Sequence, residues 1–218
     1  MSWHNLRLDL GNRCLGICEL VSKIPDEISI FRLPEGLRGY NNSKQYIAHV
    51  TYSSEVAISD EPAKIKIEVG LREKLLVSPI RSELRTLLMN PFTKKPAVPE
   101  FTVMALALEE AYAEKTRAAL TRREPAIRDL YDVDFAVGGL HLDLKGHRLM
   151  GLITEKLKAP DNDPIDISPS RRELLRAQLD TQLKPVLRPQ DFEKFDLDRA
   201  FTLVAEIGSR IQAYEATA

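Results

Sequence analysis

Cysteine is scarce: Cys14 and Cys18 are the two in 218 residues, and they stand four apart rather than in a Cys-x-x-Cys pair. With no histidine at metal spacing beside them, they read as small apolar residues on one helix face. That argues against a disulfide framework and fits a reducing cytoplasm. Long apolar runs are missing too. No stretch suffices to cross a membrane and no signal peptide opens the chain, so the expectation is a cytoplasmic protein with no membrane partner. An excess of one charge sign is also lacking. A formal net charge of −1 argues against a protein that coats nucleic acid non-specifically, while leaving room for a local basic patch. His4, His49, His141 and His147 form no zinc spacing, no Ser/His/Asp or Cys/His grouping rises above chance, and no glycine-rich phosphate loop follows a strand.

What is present is enough apolar material, 44% of the chain, to build a packed core in one sizeable domain, or in a small α+β domain with a helical partner. Leu10, Cys14, Ile17, Val21 and Ile24 recur at helical spacing, weakened by Gly11 and Gly16 and ended by Pro25. Glu27–Leu33 and Gln45–Ser54 read as strands. Ala63–Leu71 is the clearest strand, with Ile65, Ile67 and Val69 on one face and Lys64, Lys66 and Glu68 on the other. A fourth strand is expected near Leu84–Met89, and the proline-rich Asn90–Pro99 as a linker or edge loop. After Phe101 the period changes. Helices are expected over Leu106–Arg123, Ile127–Val137, Lys145–Lys158, from a Ser170/Glu173 capping box to about Lys184, and over Leu197–Tyr214. Strands first and helices second imply α+β rather than alternating βαβ units. The division expected is a sheet region over 1–100 and a helical region over 101–218.

Three groups are candidates for chemistry. Glu68 is a strand carboxylate facing away from its apolar neighbours, suited as an oxygen ligand to Mg²⁺, although an alternating Lys/Lys/Glu face is ordinarily a solvated one. Lys115 shares a helix stripe with Leu108, Ala111, Tyr112, Ala118, Ala119 and Arg122. A lysine and an arginine one and two turns apart can grip nucleotide phosphates; the plainer reading is a lysine whose stem covers apolar surface. Arg128, Asp129 and Asp132 share a helix, where Arg128 and Asp132 at i,i+4 can simply form a surface ion pair. Arg117, Arg122 and Arg123, with Lys94 and Lys95, make a candidate basic rim, against the ordinary alternative of solubilising charge. Arg171 and Arg172 begin a helix, where cations are mildly unfavourable.

Two stretches together resemble the AbiEii/AbiGii toxin family of nucleotidyltransferase-like proteins. KIKIEVGLRE (Lys64–Glu73) is similar to that family's late core strand, which carries an active-site acid. ALALEEAYAEKTRAALTRREPAIRDLYDVDFAV (Ala105–Val137) is similar, in order and spacing, to its long helix with a Glu-Lys pair followed by Arg-Asp-Leu-Tyr-Asp. The resemblance covers roughly residues 28–140. It implies a mixed sheet followed by a helical half, with a cleft lined by Glu68, Lys115 and Asp132. By resemblance, Glu68 is the metal ligand, Lys115 contacts nucleotide phosphates, and Asp132 is the downstream acid. Arg122, Arg123, Arg128 and Asp129 fall in the nucleotide-binding set, with Asp129 the partner of a nearby arginine. The activity implied is transfer of a nucleotide from an NTP, with Mg²⁺, to an RNA or protein hydroxyl, tRNA 3′ ends among the acceptors. A cognate antitoxin is the implied partner.

One departure stands against this. The family's Gly-Ser turn and Asp-x-Asp strand, whose aspartates bridge two metals in phosphoryl transfer, is not found. The nearest remnant, Asn5-Leu6-Arg7-Leu8-Asp9-Leu10, has an arginine in place of the first aspartate, and an arginine repels a metal. The expectation is therefore a truncated or degenerate copy, inactive as the chain stands. The alternatives are a non-catalytic interaction protein of this fold, and an α+β binding module.

Overall fold

The structure, a computed structural model, describes residues 31–40, 45–53, 61–70, 74–160 and 162–215. The helix expected over Leu10–Ile24, the remnant Asn5–Leu10 and the opening of the Glu27–Leu33 strand lie outside them. The chain forms two compact units, Met1–Lys74 and Leu75–Ala218.

In the first unit, strand β3 (Gln45–Tyr52) is the centre of an antiparallel sheet. Strands β1 (Phe31–Arg32) and β2 (Arg38–Tyr40) pair along one edge and β4 (Ala63–Gly70) along the other. The alternation of β4 sets the register. Ile65 lies opposite Val50 and Ile67 opposite Ala48, so the apolar residues of both strands share a face. On that face Ala48 and Val50 are buried. The other face pairs His49 with Lys66, Thr51 with Lys64 and Ile47 with Glu68.

The second unit opens with an antiparallel hairpin, β5 (Ile80–Leu84) with β6 (Phe101–Ala105). The strand expected at Leu84–Met89 therefore lies earlier. Between Leu84 and Phe101 the only bridge among the described residues is an isolated one from Met89 to Pro96. Pro91 and Pro96 remove ladder donors in this stretch. Strand β6 was absent from the sequence reading because its apolar run continues into the next helix without a break. Then follow α1 (Leu108–Thr121), α2 (Ile127–Gly138), α3 (His147–Leu157), α4 (Pro169–Arg176), α5 (Pro189–Phe192) and α6 (Leu197–Glu215). The fold is α+β, as expected.

The core of this unit lies among α1, α2, α3 and α6, with Leu120, Ile127, Leu130, Val133, Ile153 and Ile207 essentially sealed from water. Gly208 permits the close approach of α6. A Cβ there would lie 3.0 Å from Leu120 and 3.2 Å from Ile165. Helix ends are closed by distant side chains. The Arg171 guanidinium donates to the carbonyls of Ala119 (3.0 Å) and Arg122 (2.9 Å) at the end of α1. Asn162 donates to those of Lys156, Leu157 and Ala159 beyond α3. Gln178 accepts from the Ile127 N–H at 2.9 Å and donates to the Pro125 carbonyl at 2.8 Å, capping α2, whose own cap residue is Ala126.

Two expectations are corrected here. The capping box assigned to Ser170 and Glu173 is instead a cap by Ser168, whose hydroxyl accepts from the Arg171 N–H (3.2 Å) with Pro169 at the first helical position. The helix does not run to Lys184. It ends at Arg176, widens to a π-helical turn over Leu179–Leu183 and tightens to a 3₁₀ turn at Lys184–Val186. Pro185, lacking an N–H, cannot continue an α-helical ladder.

Candidate functional site

Helices α1 and α2 pack side by side and bring most of the candidate residues together. The Lys115 ammonium forms an ion pair with the Asp132 carboxylate; both side chains are partly exposed. One turn back on α2, Asp129 lies in the first helical turn, where a carboxylate faces the positive end of the helix. Its side chain is 8% exposed, and Arg122 reaches it from the end of α1 at 2.8 Å. The contact is one of charge more than of direction, since Asp129 Oδ2 is buried and accepts no hydrogen bond. Burial pushes the Asp129 carboxyl above its ordinary value, against the pull of Arg122, Arg128 and Lys115. Arg128 is exposed and has no ion-pair partner among the described residues. The site thus holds two carboxylates and three cations within about two turns of α1 and one turn of α2.

The remaining basic candidates are engaged elsewhere. Arg123 pairs with Asp163 at 3.3 Å. Arg117 is held by Glu114 at 2.5 Å and by Asn162 at 2.6 Å. Lys94 and Lys95 lie in the exposed loop between β5 and β6. Glu68 belongs to the first unit. There it accepts from Gln45, across the β3–β4 ladder, and pairs with Lys66 at 2.5 Å, about half exposed.

Three residues escaped the sequence reading. Tyr112 is buried one turn before Lys115; burial first, then Asp132 and Tyr131, raise its hydroxyl pKa. Glu110 and Lys156 form a buried ion pair at 2.7 Å, 1% and 5% exposed. Glu110 also accepts the backbone N–H groups of Leu76 (3.2 Å) and Val77 (2.9 Å), fixing the segment that leads into β5. Burial alone would raise the Glu110 carboxyl, but Lys156 and these two N–H groups together hold it below its ordinary value. The spacing signal was present in part, as a glutamate five residues before Lys115. Its lysine partner, 46 residues downstream, had none.

Among the described residues no three His, Cys, Asp or Glu side chains gather to hold a divalent cation. Asp129 and Asp132 each carry a cationic partner, and Glu68 has Lys66 beside it. These groups as arranged do not fit a metal. No helix among the described residues is long and apolar enough to cross a membrane.

An antiparallel sheet in one unit, and in the other paired helices bearing this lysine–aspartate and arginine–aspartate set, make an α+β protein. Residues 15–205 match the family described as nucleotidyl transferase AbiEii toxin, Type IV TA system, and the chain belongs to that family. Membership makes it a toxin-like nucleotidyltransferase of a type IV toxin–antitoxin system, a class that generally uses an NTP with a divalent metal and implies an antitoxin partner. No curated protein and no solved structure matches the chain.

Proposed function

We propose that the α1–α2 cluster receives the phosphates of a nucleoside triphosphate, and that the reaction served is transfer of its nucleotide to an RNA or protein hydroxyl. The observation that carries this reading is the Lys115–Asp132 pair with Arg122 and Arg128 beside it. Lys115 and Arg128 offer N–H donors to phosphate oxygens, Lys115 by exchanging Asp132 for the incoming anion. Arg122 stays with Asp129 and adds positive potential. Asp132, released, becomes a partly exposed carboxylate beside the phosphates, able to accept a proton from the attacking hydroxyl. Family membership extends the proposal to Mg²⁺ as the metal that accompanies the triphosphate, tRNA as an acceptor, and the cytoplasm as the place of action.

A second reading is favoured by one observation. Each carboxylate of the cluster is already matched to a cation, which suits a protein that keeps the fold and binds a partner without transferring anything. Two measurements separate the readings. Calorimetric titration with each NTP in Mg²⁺ should show binding that Lys115→Ala weakens by about 10-fold or more, the worth of a charged hydrogen bond. Incubation with α-labelled NTPs and tRNA or protein should transfer label under the first reading alone. Binding unaffected by Lys115→Ala would remove the phosphate assignment.

A further inference from the structure

Against the face of α2 that carries Tyr131, Asp134 and Phe135 lies a cavity of about 290 Å³, lined also by Lys194, Phe195 and Arg199, with Gly138 and Gly139 among its lining. Its walls are aromatic. Tyr131 stacks on Phe135 with ring centroids 6.3 Å apart and meets Phe195 edge-on at 5.7 Å. Gly139 leaves room for the Phe135 ring; a Cβ there would fall 2.6 Å from it. The rim is polar and held in place. Arg199 grips Asp134 with two bonds, at 2.9 and 2.7 Å, and Arg188 holds Asp191 at 2.6 Å. The Lys194 ammonium is exposed and has no partner among the described residues.

Resting on the reading above, we infer that this cavity is the subsite for the nucleoside of the triphosphate whose phosphates meet Lys115. Size is the first argument: the volume sits at the small end of ligand pockets, enough for one ring system and its sugar and too little for a folded peptide segment. Chemistry is the second. A flat ligand stacks against Tyr131, Phe135 or Phe195, while the Lys194 ammonium, exposed at the rim, offers a donor that a purely apolar ligand would leave unused. A base offers both donors and acceptors to that rim. Position is the third. Tyr131 and Asp132 are consecutive on α2, so their side chains leave the helix about 100° apart, the cavity and the ion pair drawing on neighbouring faces of one helix. The Tyr131 hydroxyl feels both: burial first, then Asp191 and Asp132, raise its pKa.

Titration calorimetry of the full chain tests this with three probes: the four nucleosides, the four NTPs, and inorganic triphosphate. At least one nucleoside should bind, and its triphosphate should bind about 10-fold or more above inorganic triphosphate, the gain expected from stacking one base. Tyr131→Ala should erase that difference while leaving inorganic triphosphate binding as it was. Lys194→Glu, an exposed change that spares the fold, should lower nucleoside affinity about 10-fold with circular dichroism unchanged. Equal affinity for NTPs and inorganic triphosphate would overturn the inference, as would occupation by an RNA oligonucleotide with none by any mononucleotide. Nucleoside binding without triphosphate binding would instead overturn the phosphate assignment and leave the subsite standing.

Discussion

Buried charge decides the behaviour of single residues here. Glu110 and Lys156 are 1% and 5% exposed, so removing either leaves the other uncompensated. Lys156→Met should cost about 3–5 kcal/mol in urea unfolding, with Glu110→Gln/Lys156→Met recovering part of it because Gln still accepts from Leu76 and Val77. The acid limb of stability carries two opposite signs. Glu110 titrates below its ordinary 4.5 when folded, so its contribution is complete above that value and is lost as pH falls through the lower folded value. Asp129 titrates above its ordinary 3.8, so its contribution is largest below that value and is lost as pH rises through the folded value. Glu110→Gln should therefore flatten the loss of stability on acidification, and Asp129→Asn should steepen it. Midpoints of urea unfolding between pH 3 and pH 6 check both directions; parallel curves for the two variants would contradict the assignment. At the cluster, Asp132→Asn removes the anion that competes for Lys115, so inorganic triphosphate should bind more tightly, not less. Lys115 was legible because helix periodicity places it on a stripe with apolar residues, and Asp132 through the resemblance of its Arg-Asp-Leu-Tyr-Asp run, whereas the bond between Glu110 and Lys156 depends on α1–α3 packing that no local pattern encodes.

Elements in the helical unit are closed by side chains from far along the chain. Ala126 cannot cap α2, and Gln178, 51 residues from Ile127, does so with both ends of its amide. Gln178→Ala should cost about 1–2 kcal/mol, within the range for losing a helix cap, with the amides of Ile127 and its neighbours exchanging faster. Arg171 does the same for α1 through a planar fork that meets two carbonyls. Arg171→Lys, with one point charge for two divergent acceptors, should lose about 1.5–3 kcal/mol despite keeping its charge. This also accounts for a cation in the first turn of α4, which helix electrostatics alone disfavour. The regular middles of elements were legible: β3, β4, α1, α2 and α3 fall close to where alternation or helical spacing put them. Ends and exceptions were not. Strand β6 hid inside an apolar run shared with α1, and the π-helical turn at Leu179–Leu183 is an arrangement whose apolar spacing resembles that of an α-helix.

Across the whole molecule, the order of strands before helices was enough to give an α+β fold, because antiparallel neighbours and short helical connections leave few other arrangements. The sequence could not say that burial is so unevenly shared. Among the described residues of the first unit, Ala48, Val50 and Thr51 are the buried ones, and Ile65 at the middle of β4 remains 45% exposed. In the second unit a continuous cluster runs from Tyr112 to Ile211 and draws on α1, α2, α3, α4 and α6. Stability follows buried apolar area, and regions with few buried contacts open at lower free energy than the rest. Hydrogen exchange read by mass spectrometry should therefore rank the chain. Amides within α1, α2 and the centre of α6 should exchange only through the slowest openings, those of β3 and β4 at least about 10-fold sooner. A ligand on the α1–α2 cluster should slow exchange in the helices by the binding free energy. Sheet amides protected as strongly as helical ones in the free chain would mean that the two units open together, and the uneven burial would then have no energetic counterpart.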